Sequence, residues 1–130
     1  MPIKYSVSDD GHFINAVASG LVTAQEFIEY ELAHAVDKRI RTPLYELLVI
    51  EPGAFRQIAT EDISRVIEQR MDLPEPPVTH HCAIVVAESD YHAWDLAKFY
   101  EGMFRLHYPE VVIVFADPVT ARIWLGMEKD

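Results

Sequence analysis

A chain of 130 residues, half of them hydrophobic, has enough apolar material for one folded domain with its own core. Its formal charge of −10 is expected to repel a phosphate backbone or an anionic membrane surface, which argues against nucleic-acid and membrane partners. No apolar stretch reaches the roughly 20 residues of a spanning helix, no secretion signal is visible, and the single cysteine, Cys82, cannot form an intrachain disulfide. We therefore predict a single cytoplasmic domain over residues 1–130.

The first forty residues predict a hairpin followed by a helix. Apolar residues alternate with polar ones from Ile3 to Val7, and a turn signal separates this strand from a second one over residues 13–19. Thr23 and Glu26 have the spacing of a capping box, so a helix is expected to begin there and to run to about Arg39.

The buried face of this first helix is predicted from its apolar periodicity. Residues at helical spacing form one stripe, which we expect to cover the sheet: Ile28, Leu32, Ala35 and Val36. A second stripe of Phe27, Tyr30 and His34 is then expected to lie off the core face.

The middle of the chain predicts a third strand over Leu44–Ile50 and a second helix that opens at Thr60-Glu61-Asp62. Its apolar residues share one face, so this helix is expected to be half-buried. Three prolines within residues 72–79 predict a stiff surface loop inside one domain.

The last fifty residues predict two parallel strands, each followed by a helix. The runs Cys82–Ala87 and Val111–Phe115 are continuously apolar, as in central strands that are covered on both faces. A helix over residues 91–107 follows the first strand, and Asp117-Pro118 opens a helix that ends near Gly126.

The element order is therefore β-β-α-β-α-β-α-β-α. It predicts an α/β domain with a four- or five-stranded mixed sheet, in which an N-terminal hairpin joins parallel βαβ units and helices lie on both faces.

Three stretches resemble the STAS-like, SpoIIAA-like bacterial domains: GLVTAQEF, AIVVAESD and VVIVFADPVTARIWLG. That family has the fold of the anti-sigma-factor antagonists and is similar to lipid-transfer domains of the CRAL-TRIO kind. The resemblance implies a regulatory, protein-binding role without catalysis. It also implies a phosphorylated serine, preceded by aspartate, at the start of the helix after the third strand. This chain has no Asp-Ser pair there, and Thr60 is the hydroxyl residue nearest to that place.

Acidic residues follow each strand that is expected to run parallel: Glu51, Glu88, Asp90 and Asp117. Because the carboxyl ends of parallel strands form the usual ligand edge, these carboxylates are a candidate ligand rim for Mg²⁺ or Ca²⁺ and for a metal-dependent hydrolase. The favoured alternative is that Asp90 and Asp117 cap helices and that the glutamates are solvated.

Histidine spacing does not predict a metal site or a cofactor. His80 and His81 are adjacent at the start of a strand, so their side chains are expected on opposite faces. Neither zinc-binding spacings nor the common catalytic and phosphate-binding motifs occur, which favours a protein that is not an enzyme.

The helix over residues 91–107 has more apolar surface than one sheet face needs. Trp94, Phe99 and Leu106 fall on its flanks, where apolar residues are typical of an interface. The alternative is that a neighbouring helix or the proline-rich loop covers them. The leading hypothesis is thus a non-catalytic module that forms a homodimer or binds a protein partner through this helix. The second hypothesis is a lipid or small-molecule pocket between the sheet and the helices.

Overall fold

The computed structural model describes residues 3–71, 80–107 and 111–127. The strands are β1 (Ile3–Val7), β2 (Phe13–Ala18), β3 (Leu44–Ile50), β4 (His80–Val86) and β5 (Val111–Phe115). The helices are α1 (Ala24–Ala35), α2 (Thr60–Met71), α3 (Tyr91–His107) and α4 (Pro118–Leu125). The predicted element order and α/β class are confirmed. The proline-rich loop and the side chain of Leu106 lie outside the described residues.

The five strands form one mixed sheet in the order β1-β2-β3-β4-β5. The predicted hairpin is present, since β1 pairs antiparallel with β2, whereas the other three pairings are parallel. Each parallel pair is joined through a helix, as crossover connections require. The carboxyl ends of β2 to β5 therefore meet at one edge of the sheet, here called the carboxyl edge, and their amino ends meet at the opposite amino edge.

Helices cover both faces of the sheet, as predicted. The larger core packs α1, α2 and α3 against one face, and its strand residues alternate with those of the other face. On the second face, α4 packs Ala121 and Leu125 over Leu47, Ala83 and Val85. No helix within the described residues is long and apolar enough to cross a bilayer.

Helix starts follow the predicted capping residues. Thr23 and Glu26 form the reciprocal capping box at α1, with hydrogen bonds of 3.2 and 2.8 Å. Asp117 accepts a 2.8 Å hydrogen bond from the Thr120 backbone N–H, and Gly126 ends α4 in the left-handed conformation. Local sequence therefore sets where these helices begin and end.

Two predictions about α1 are wrong. The helix ends at Ala35 and not near Arg39, because the Asp37 carboxylate accepts hydrogen bonds from both the backbone and the side chain of Arg39 and holds a turn there. The helix is also rotated relative to the predicted stripe, since Ala35 and Val36 are exposed. The buried face of α1 comprises Phe27, Ile28, Tyr30, Glu31 and His34.

Three strand limits also differ from the predicted ones. β2 ends at Ala18, β4 ends at Val86, and β4 begins two residues before the predicted start, because His80 and His81 already pair with β3. The prediction of two central strands is wrong for β5, which stands at the edge of the sheet. The earlier start of β4 brings His80 into the sheet, where its ring lies beside Glu46 of β3.

Candidate functional site

A group of ionisable side chains is buried between α1 and the amino edge of the sheet. Glu31, His34, Glu46 and His80 are each only 2–3 % exposed, as judged from their relative accessible surface. Tyr30 and Tyr100, which are also buried, complete what we call the buried polar cluster. Buried charges are rare unless they are paired, so the stability of these side chains depends on the partners around them.

Secondary structure brings these residues together. Tyr30, Glu31 and His34 share one face of α1, since helix positions three and four apart are neighbours. Glu46 lies on β3 between Leu44 and Leu48, which face the same helical layer. Leu44 pairs with His80 in the parallel register, so the first residue of β4 stands beside this part of β3.

Hydrogen bonds connect the cluster. The Tyr30 hydroxyl donates to Glu46 Oε2 over 2.5 Å, and His80 Nε2 lies 3.0 Å from Glu46 Oε1. The Tyr100 hydroxyl, which α3 contributes, donates to Glu31 Oε2 over 2.9 Å. Both carboxylates thus receive a hydrogen bond from a buried tyrosine, which offsets part of their desolvation.

His34 stands between the two carboxylates. Its Nε2 atom lies 3.6 Å from Glu31 Oε2 and 3.7 Å from Glu46 Oε2. These separations are within ion-pair range, though longer than a hydrogen bond between the same atoms. The cluster therefore centres on one imidazole nitrogen and two carboxylate oxygens.

Electrostatics favour the ionised form of Glu46. Burial acts to raise the pKa of its carboxyl group, but the charge of His34 and the hydrogen bonds of His80 and Tyr30 outweigh it and hold the pKa below its ordinary value. Burial and the two nearby carboxylates raise the pKa of Tyr30 well above its ordinary value, so its hydroxyl stays a donor.

A second polar group follows the carboxyl end of α1. The Tyr5 hydroxyl donates to Asp37 Oδ2 over 2.9 Å, and Arg39 Nη2 donates to the same oxygen over 2.7 Å. The Arg39 hydrogen bond is the main reason that the pKa of Asp37 lies below its ordinary value. This group ties β1 to the segment that follows α1.

The carboxyl edge holds the predicted ligand rim, where capping accounts for two of its four members. Asp90 accepts hydrogen bonds from the backbone N–H groups of Ala93 and Gly53, and Asp117 caps α4. Glu51 and Glu88 are exposed.

The side chains of the rim are not the ones that lie close enough together to share one ion. Among the described residues, those side chains are Glu31, His34 and Glu46, whose ligand atoms all lie within 4.8 Å of one another. Thr60, the predicted phosphorylation site, is the first residue of α2 and its side chain is exposed.

Of the predicted interface residues on α3, Trp94 and Phe99 are half-buried. Trp94 and Phe99 both pack against the larger core, so core packing explains part of each side chain. The most exposed aromatic residue of the same helix is Tyr91, which is 77 % exposed and stands at its first position. On α4, Val119 and Ile123 are 54 % and 69 % exposed.

An apolar cavity lies between the sheet and the helices, where the second hypothesis places a ligand. Its lining includes Phe27, Leu48, Phe55 and Tyr100, and it offers about 10 Å³ to the centre of a water-sized sphere. That space corresponds to about one water molecule. Binding a lipid there requires the helices to move away from the sheet.

The sequence prediction missed the buried polar cluster although two signals point to it. Glu46 is the single charged residue in the otherwise apolar or aromatic strand LYELLVI, and Glu31 and His34 have the i, i+3 spacing of a Glu-x-x-His ligand pair. The expected opposite orientation of the paired histidines is confirmed, because His80 is buried in the cluster while His81 stacks on Trp124 of α4.

Comparisons of this chain with protein-family models, with curated proteins and with solved structures each found no significant match. Any functional inference therefore starts from its own residues.

Proposed function

We propose that this chain is a non-catalytic protein-interaction module of the STAS-like type, and that a partner protein binds where α3 begins. The observation that carries the proposal is the exposure of Tyr91, an aromatic residue that is 77 % accessible at the start of that helix. Trp94 lies one turn further along and is half-buried. We call Tyr91 and Trp94 the α3 aromatic surface.

Residue type and position favour a protein ligand at this surface. Tyrosine and tryptophan are enriched at protein–protein interfaces because they combine a large apolar area with a polar group. Residues one turn apart lie on one side of a helix, so both rings can meet the same partner. The half-buried Trp94 is held by the core, which reduces the entropy that it loses on binding.

Charge indicates the kind of partner. Glu88 and Asp95, both exposed, lie within four residues of Tyr91 along the chain, and the whole chain has a net charge of −10. A partner with a basic surface is attracted by this field, whereas a second copy of the chain is repelled by it. We therefore propose a basic partner protein, with homodimerisation as the competing outcome.

Photo-crosslinking in the source cells tests this proposal. A photoreactive phenylalanine replaces Tyr91 in one variant and Glu29 in a matched control, since Glu29 is exposed on α1. We expect a distinct adduct with a basic protein from position 91 and none from position 29. The adduct should weaken at least about tenfold when Glu88→Lys and Asp95→Lys are added, because like charges across an interface oppose binding.

Three results contradict the proposal. Equal labelling from both positions, or labelling that charge reversal leaves unchanged, shows that the α3 aromatic surface is not a specific contact. An adduct of twice the mass of the chain, together with a dimer in sedimentation velocity, shows that this surface binds a second copy of the chain and not a partner protein.

A further inference from the structure

The centre of the buried polar cluster has the dimensions of a metal site. Glu31, His34 and Glu46 each offer one ligand atom, and these atoms lie within 4.8 Å of one another. His34 Nε2 is 3.6 Å from Glu31 Oε2 and 3.7 Å from Glu46 Oε2. Tetrahedral coordination with bonds near 2.1 Å places neighbouring ligands about 3.4 Å apart. The two nitrogen–oxygen distances are within a few tenths of an ångström of that value, and the separation between the two carboxylate oxygens needs to close by at most about 1.4 Å for the three side chains to share one ion.

The residues around these three atoms match the outer shell of a metal site. Tyr30 donates to the Glu46 oxygen that faces His34, and Tyr100 donates to the corresponding oxygen of Glu31. His80 stands beside the second oxygen of Glu46. In metalloproteins, ligating carboxylates are themselves hydrogen-bonded, because these outer partners orient the ligand oxygens.

Charge balance also favours a divalent cation. Glu31 and Glu46 are each 2 % exposed, and a buried carboxylate is stabilised by positive charge beside it. His34 supplies such charge only while it is protonated, and a divalent ion bound to its neutral Nε2 atom replaces that proton and carries one more positive charge. A set of two carboxylates and one imidazole suits zinc, iron or manganese better than calcium or magnesium, which prefer oxygen ligands alone.

We propose that Glu31, His34 and Glu46 bind a divalent transition-metal ion of the Zn²⁺ class, which fastens α1 to the amino edge of the sheet. The site is independent of the proposed partner surface, because Tyr91 stands at the opposite, carboxyl edge. The burial of all three ligands makes the role structural, so the ion stabilises the fold and performs no chemistry on a substrate.

Refolding with cobalt tests the site directly. Because the ligands are buried, the chelator-treated chain is unfolded in guanidinium chloride and refolded with a small excess of Co²⁺, then desalted. We expect one Co²⁺ per chain and visible absorption bands typical of a four- or five-coordinate ion, both of which Zn²⁺ removes by displacement. At a free Zn²⁺ concentration of 100 times its Kd, the unfolding equilibrium constant should fall about 100-fold.

Single variants separate the ligands from their surroundings. His34→Gln should abolish the cobalt bands. Tyr100→Phe removes an outer hydrogen bond and should weaken Co²⁺ binding about tenfold. Glu29→Gln, which changes an exposed carboxylate on the same helix, should bind Co²⁺ as the wild type does.

The proposal is overturned if the refolded wild type retains well under one Co²⁺ per chain, or if its metal content is the same in a folded His34→Gln variant. Should His34→Gln fail to fold, the stoichiometry of the wild type and the contrast between Tyr100→Phe and Glu29→Gln still decide between a bound ion and a cluster that holds no metal.

Discussion

Acidic side chains are buried at one edge of the sheet and exposed at the other. At the amino edge, Glu46 and His80 are buried and hydrogen-bonded within a cluster that draws residues from α1, β3, β4 and α3. At the carboxyl edge, Glu51 and Glu88 are exposed, and Asp117 caps a helix. The stability of a buried charge depends on the partners around it, whereas an exposed charge is stabilised by water.

The Glu46→Ala variant is expected to lose the most stability, and it tests the difference between the two edges. Glu46→Ala should lower the free energy of unfolding by about 3–5 kcal/mol, because it removes the carboxylate that Tyr30 and His80 contact and leaves a buried network incomplete. Glu51→Ala, at the end of the same strand, should change it by less than about 0.5 kcal/mol.

Urea unfolding in the presence of a chelator measures both values without a contribution from bound metal. Equal losses in the free energy of unfolding for the two variants contradict the predicted difference between the edges. A loss at Glu46 that appears only when metal is present shows that the ion, and not the hydrogen bonds, holds this edge together.

The next effect concerns one hydroxyl group. Tyr30→Phe should cost about 1.5–3 kcal/mol, since it removes a buried donor to an ionised carboxylate without changing the shape of the ring. Tyr91→Phe is the matched control at the carboxyl edge and should leave stability nearly unchanged, because Tyr91 is 77 % exposed. Thermal unfolding of both variants beside the wild type provides the measurement, and a Tyr30→Phe variant as stable as the Tyr91→Phe variant contradicts the prediction.

The smallest expected loss of stability is that of Asp37→Asn, and it depends on pH. Asp37→Asn should cost about 1 kcal/mol near neutral pH, because Arg39, which binds Asp37, is itself solvated. The pKa of Asp37 is lower in the folded state than its ordinary value of 3.8, so the stabilisation is complete above that value and is lost as the pH falls below it.

Urea titrations at pH 7, 5, 4 and 3 should therefore show a constant gap between the wild type and Asp37→Asn down to about pH 4, and a narrowing gap below it. A gap that is the same at every pH shows that the turn, and not the ionised carboxylate, makes the contribution.

Much of the fold follows from short stretches of sequence. Apolar runs identified β4 and β5, period-two alternation identified β1, and the capping residues Thr23 and Asp117 marked helix starts to within a residue. These signals are local, because a cap or a strand pattern involves residues that are close along the chain. The largest errors in the predicted limits are at the end of α1 and the start of β4, where a side-chain hydrogen bond and a pairing between strands decide the outcome.

The candidate site was less accessible to prediction. The rim at the carboxyl edge follows from a general rule of parallel sheets, and two of its members, Asp90 and Asp117, cap helices. Histidine spacing indicates ligands that are close along the chain, whereas the cluster joins α1 to Glu46 and His80 from distant segments. The strongest sequence signal for the cluster is Glu46, the charged residue inside β3.

The order of the elements, the α/β class and the positions of the helix caps follow from the sequence, because all three depend on local patterns. The buried face of α1, in contrast, depends on contacts with distant parts of the fold. Periodicity assigned Ala35 and Val36 to the core, yet the helix buries Tyr30, Glu31 and His34. Polar side chains can occupy the core when partners satisfy them, and those partners, Glu46 and Tyr100, are brought to α1 by the folding of distant segments.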